Sequence, residues 1–202
     1  MVSWRTLQMD GTAGFMTGAQ KKRPYWERRK NAVYLQHVFA LVHCMGHNAR
    51  SIVDVGSHGC PYLEWFDWIP RKVSIDIHKP YRSPTVEGIT ADFLTFKPKK
   101  RFDICLCLQV LEHIPDARAF AQKLLASSPR VLISVPYLWA ADSHIQHVHD
   151  PIDEAKVVAW FGQSPSLSMI STEHRTGVRR LICYFEELGW KRRLEKILSR
   201  YR

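Results

Sequence analysis

Between residues 144 and 151 the chain reads His144-Ile-Gln-His147-Val-His149-Asp150-Pro151, three imidazoles and a carboxylate in eight positions. An imidazole titrates near neutrality, so a histidine here is suited to take a proton from a hydroxyl as its oxygen attacks, a role worth typically about 10²- to 10⁴-fold in rate. The same side chains could instead hold a divalent ion that acidifies a diol. The spacing alone assigns no metal. His147 and His149 are the leading candidates for a base, with His144 behind them. Asp150 has a competing structural use: followed by Pro151, and by Asp153 and Glu154, it reads as the N-cap of a helix carrying Val157, Val158, Trp160 and Phe161.

A second set of chemistry-bearing residues lies upstream. Val53-Asp54-Val55-Gly56-Ser57-His58-Gly59 is followed about a dozen residues later by Val73-Ser74-Ile75-Asp76. Glycines at 56 and 59 let backbone approach a ligand where a Cβ would block it. Asp76 ends an apolar strand, where a carboxylate can accept ribose hydroxyls, and Asp92 with Phe93 can hold an adenine by a hydrogen bond and a ring contact.

The elements that must position these groups follow from hydrophobic pattern. Ser51–Val55, Val73–Ile77, Gly88–Phe93, Phe102–Leu108 and Arg130–Val135 are short β-branched or apolar runs, as expected of parallel strands covered on both faces. Helices are expected from Pro24 to about Cys44, from Pro61 to Ile69, and from Leu111 to Ser127. The first of these is placed to cover the sheet edge or the mouth of a pocket. Leu167–Glu173, a Thr176-Gly177 turn and Val178–Phe185 read as an antiparallel hairpin. The fold class is therefore α/β, a Rossmann-like, mostly parallel seven-stranded sheet with helices on both faces and an antiparallel C-terminal hairpin. Residues 1–23 read as a flexible leader and 24–202 as a single domain.

Four segments in order, Val53–Gly59, Asp76, Ala91-Asp92-Phe93 and Phe102–Ile114 with its Val-Leu-Glu-His stretch, resemble the class I S-adenosylmethionine-dependent methyltransferases. The resemblance spans roughly Ser51 to Phe185. It implies S-adenosyl-L-methionine as cofactor, with Asp54, Gly56, Ser57 and Gly59 toward its methionine part. Asp76, with Ile77 beside it, would hold the ribose, Asp92 and Phe93 the adenine, and Leu108 and Gln109 the amino group. His58 departs from the family, which usually has a small residue there. The resemblance places His113 on the cofactor side, away from the base. A dinucleotide-dependent dehydrogenase is disfavoured, because the turn lacks the third glycine and no second mononucleotide half follows.

The activity expected is methylation of an oxygen on a small molecule or saccharide, with Tyr137, Trp139 and Trp160 as candidate pocket walls. The net charge of +10, concentrated near both ends, admits an RNA methyltransferase as an alternative, but no RNA-binding module accompanies it. A catalytically silent partner subunit is the remaining reading. Five cysteines without paired spacing point to a reducing, cytoplasmic setting, and no apolar run is long enough to span a bilayer.

Overall fold

The computed structural model describes residues 25–141 and 144–187. Residues 1–23, read as a leader, and the basic segment after 187 lie outside the described residues. Seven strands, β1 (Ser51–Val55), β2 (Arg71–Asp76), β3 (Val86–Thr90), β4 (Ile104–Leu108), β5 (Arg130–Pro136), β6 (Leu167–Thr172) and β7 (Arg179–Glu186), form one sheet in the order β3-β2-β1-β4-β5-β7-β6. The first five are parallel, and β7 runs antiparallel to both β5 and β6.

The residue pattern explains which strands are central. All five residues of β4 are buried, as a strand covered on both faces requires, whereas β6 alternates at the sheet margin. Side chains of period two divide the core into two layers. Val53, Cys105, Cys107, Val131 and Ile133 face Phe120, Leu124 and Phe161 on one side. On the other, Ile52, Leu106, Leu132 and Ile182 face Leu35, Val38, Val42 and Phe66. All five cysteines are free, and four of them are buried.

The helical layer differs from the sequence expectation in four places. The helix from Pro24 is divided into α1 (Tyr25–Arg29) and α2 (Val33–Gly46), because Glu173 Oε2 accepts the Val33 N–H at 3.0 Å and starts a new helix there. Between β1 and β2 there is no α-helix, only a 3-10 turn, Pro61–Trp65. Prolines 61 and 70 bound this segment, and its aromatic residues pack in place rather than follow a helical stripe. Pro115 likewise splits the Leu111–Ser127 segment into a 3-10 turn, Leu111–His113, and α3 (Ala117–Ser127), capped by Asp116 accepting the Ala119 N–H at 2.9 Å. Finally, α4 is Glu154–Phe161, and its cap is Asp153, which accepts the Lys156 N–H at 2.8 Å. Asp150 is not the cap, because its carboxylate is engaged by His147.

The chain leaves β1 toward β2 and β3, then returns to the other side of β1 for β4. This reversal opens a crevice beyond the carboxyl ends of β1 and β4, where sheets of this kind bind ligands.

Candidate functional site

A cavity of about 620 Å³ occupies that crevice. Its floor is the turn after β1. Gly56 has φ +83°, and a Cβ there would lie 2.4 Å from Val110 Cγ2, so only glycine fits. Ser57 Oγ accepts from the Ser74 hydroxyl at 2.7 Å and the Tyr81 N–H at 3.2 Å, which ties the turn to β2. His58, at φ +48°, donates its N–H to Asp76 Oδ2 at 2.9 Å and turns its exposed ring against Tyr25, 5.0 Å away. The imidazole therefore packs against α1 at the rim of the cavity.

Asp76 accepts two further backbone N–H groups, from His78 and Lys79, both at 2.8 Å on Oδ1. Burial works against its ionisation, but these three N–H bonds outweigh it and hold the carboxyl below its usual range. A carboxylate offers about four acceptor positions, so one direction remains for a ligand hydroxyl. Ile77, 58% exposed, adds an apolar wall. Asp92, accepting from the Leu94 N–H at 2.9 Å, and Phe93, packed on Phe120, also line the cavity, as do Leu108 and Gln109 at the end of β4. Gln109 is held at φ +59° by Ser134 and by Arg180 Nε, which donates to its Oε1 at 3.0 Å. A residue so constrained at a strand end marks a position where backbone direction matters.

Two expected cofactor residues stand off the wall. Asp54 is fully buried beneath the turn, where burial pushes its carboxyl up to about 7, the Tyr62 hydroxyl opposing and Asp76 adding to the rise. Gly59 faces the Lys79 side chain instead of the cavity. Its part is to shape the turn, with φ +70°.

The opposite wall gathers the histidines. His147 Nδ1 lies 2.6 Å from Asp150 Oδ2, with both side chains buried. His144 stacks on His147 at 4.4 Å between ring centroids, and Trp139 stacks on His147 at 5.6 Å. His149 does not reach the cavity: its Nε2 meets the Ile114 carbonyl at 2.8 Å and its ring packs on Trp160. His149 and Trp160 both belong to the packing of α4 and not to the cavity wall. Tyr137 lines a separate shallow groove beside Arg179.

Sequence reasoning missed two members of this wall. His113, placed by resemblance on the cofactor side, sits 4.8 Å from His147 between ring centroids, and burial together with the two neighbouring histidines lowers its pKa against the bond to Gln146. Glu112, 1% exposed, also lines the cavity, and burial pushes its carboxyl up to about 8. Their adjacency to each other was the available signal. The 30-odd residues separating them from His147 hid the cluster. The first helical segment, expected over the sheet edge or the mouth of a pocket, supplies Tyr25, Trp26, Arg29 and Tyr34, which close the cavity from above.

No family description matches this sequence, and no curated protein matches it. Solved structures do. The 1,6-didemethyltoxoflavin-N1-methyltransferase of Burkholderia thailandensis, with bound 1,6-didemethyltoxoflavin and S-adenosylhomocysteine, superposes with a TM-score of 0.65 at 17% identity, over 78% of this chain and 80% of that one. The N-methyltransferase NodS of Bradyrhizobium japonicum WM9, with S-adenosylhomocysteine, gives 0.63 at 13% identity over 84% and 94%. CalS10, an amino pentose methyltransferase from Micromonospora echinaspora, with S-adenosylmethionine, gives 0.54 at 14% over 75% and 89%. At these identities the likeness is one of architecture, and it agrees with the strand order and the crevice: the chain has the fold of the class I S-adenosylmethionine-dependent methyltransferases.

Proposed function

We propose that this chain is an S-adenosylmethionine-dependent methyltransferase acting on an oxygen of a small molecule or saccharide. The observation that carries the reading is one cavity with two unlike walls. The glycine turn and Asp76 form one, and His147 held by Asp150 forms the other. The residues fit the cofactor: Gly56 lets the turn pack on Val110 without a clash, Asp76 keeps an acceptor position, and Ile77 and Phe93 offer apolar contact. When bound, the cofactor supplies a methyl group on a sulfonium.

The protein's work is orientation and proton handling. Asp150 fixes the His147 ring, and a proton on Nδ1 directed at the carboxylate leaves the Nε2 lone pair free. His147 is thus placed to draw the proton from an acceptor hydroxyl. The Trp139 ring beside it suits the apolar face of a sugar.

Calorimetry with S-adenosylhomocysteine tests the cofactor, and a product screen by mass over sugar, phenolic, carboxylate and RNA pools tests the acceptor. Saturable binding and a mass gain of one methyl on a hydroxylated small molecule are expected. Folded protein without binding indicates a silent subunit, and methylated RNA alone, with steeply salt-dependent binding, replaces the acceptor class.

A further inference from the structure

The wall of the cavity that faces the acceptor contains more than a base. One donor atom from each of Glu112, His113 and His147 lies within 4.8 Å of the other two. Ligands on a common first-row ion at about 2.0–2.2 Å stand about 3–3.5 Å apart, so side-chain rotations moving each donor on the order of 1 Å bring them into range. We infer that Glu112, His113 and His147 bind a divalent first-row transition-metal ion, and that this ion carries the acceptor oxygen; the inference rests on the methyltransferase reading.

Three independent features favour a ligand set over a packed cluster. The Glu112 side chain is buried, yet its Oε2 has no hydrogen-bond partner among the described residues, a costly arrangement for a polar atom that nothing occupies. Both histidines are oriented from behind, as metal-binding imidazoles are. The His113 Nδ1 meets the Gln146 carbonyl at 2.9 Å, and the His147 Nδ1 meets Asp150, which leaves Nε2 of each as the free lone pair. The frame is also stitched together, since the Glu112 carbonyl accepts the Val148 N–H at 2.9 Å and fixes the histidine loop to the turn bearing Glu112 and His113.

Two imidazoles and one carboxylate suit Mn²⁺, Co²⁺ or Zn²⁺ better than Mg²⁺ or Ca²⁺, which prefer all-oxygen shells. Three protein ligands leave positions open for oxygens of the acceptor, as in catalytic sites. The cation alters how His147 acts: its Nε2 lone pair goes to the metal, and the metal's charge lowers the pKa of the bound hydroxyl. The hydroxyl proton leaves to solvent, the oxygen forms the new bond to the methyl carbon, and the carbon–sulfur bond breaks with its electron pair staying on sulfur. The metal keeps its oxidation state. A vicinal diol, able to chelate through two oxygens, is the acceptor chemistry that such a site favours.

The test is titration of tag-free, chelator-treated full-length protein with Co²⁺, followed by calorimetry and visible absorption. One saturable site per chain is expected, with affinity falling at least tenfold in His113→Ala, His147→Ala and Glu112→Gln and holding in His174→Ala, an exposed histidine at the hairpin turn. Melting curves of each metal-free variant, and the milder His113→Gln, separate loss of a ligand from loss of fold. Absence of saturable binding, or binding indifferent to His113 and His147, overturns the inference. So does turnover unaffected by chelation, in which case His147 acts alone as base. Loss of S-adenosylhomocysteine binding in the unmodified protein is the distinct result that defeats the methyltransferase reading itself.

Discussion

At the scale of single residues, Gly56 and Asp54 make opposite demands on the turn they share. Gly56→Ala places a Cβ at 2.4 Å from Val110 and forces alanine to φ +83°, a cost of about 1–3 kcal/mol. Cofactor affinity is expected to fall tenfold or more by calorimetry, and Val110→Ala in the same chain to restore only part, because it relieves the contact and not the dihedral. For Asp54 the pH dependence has a definite sign. Its folded pKa, about 7, lies above the unfolded value, so between about pH 4 and pH 7 the folded chain holds a proton that the unfolded chain has lost. Stability therefore declines as pH rises through that window, and buried Glu112 adds to the decline in metal-free protein. Asp54→Asn keeps the neutral shape, so its melting temperature is expected to fall less between pH 5 and pH 8 than that of the parent chain. A slope identical to the parent's would mean that Asp54 is already ionised in the fold. Asp76 behaves in the opposite sense: with its pKa lowered, its contribution is present above the unfolded value and lost as pH falls through the folded one.

At the scale of elements, α1 is the least anchored part of the cavity. None of its five residues is buried, and it rests on the body through Trp26 against Trp65 and Tyr62, 5.6 and 6.2 Å between ring centroids, and Tyr25 against His58. Aromatic pairs of this kind contribute about 0.5–1.5 kcal/mol each beyond burial. Trp26→Ala is expected to weaken S-adenosylhomocysteine binding roughly 3- to 10-fold while moving the melting temperature by only a few degrees; unchanged affinity would show that α1 is not part of the working wall. Elements of strong pattern were legible in the sequence. β4 is an uninterrupted apolar run, β1 and β5 are broken internally only by Asp54 and Ser134, and the Thr176-Gly177 turn marks the hairpin. What escaped depended on contacts between distant segments. The choice of Asp153 over Asp150 as helix cap was settled by His147 competing for Asp150. The break before α2 was settled by a glutamate on the far hairpin, and the Pro61–Trp65 segment by the aromatic cluster it joins. Gly56, Asp76 and Gln109 could be placed on the cavity because each ends or directly follows a strand of strong pattern, while Glu112 and His113 join His147 only through the fold.

At the scale of the whole molecule, Arg180 ties β7 to the cavity. Its Nη1 donates to Glu173 Oε1 at 3.0 Å, its Nε donates to Gln109, and its guanidinium lies 4.6 Å from the Tyr34 ring centre. Both members of the ion pair are largely shielded, with side chains 9% and 18% exposed. Removing one partner strands the other, at a cost of about 3 kcal/mol. Arg180→Met is expected to lower the melting temperature by roughly 10 °C in a chain of this size. It should weaken cofactor binding as well, since Gln109 loses a restraint at φ +59°. Adding Glu173→Gln should recover part of the stability, and the double-mutant cycle measures the coupling. Additive losses would mean that the pair contributes no coupling.

Glu173 also has a consequence for how the molecule is made. The same carboxylate that pairs with Arg180 starts α2, through a hydrogen bond that closes a span of 140 residues. Closing so long a span is entropically costly and comes after local structure has formed. During synthesis, the sheet from β1 to β5 can assemble while the upper wall of the cavity still lacks its anchor, which arrives only with the hairpin. A ligand that binds only the finished cavity favours, by mass action, the state in which this long-range anchor is made.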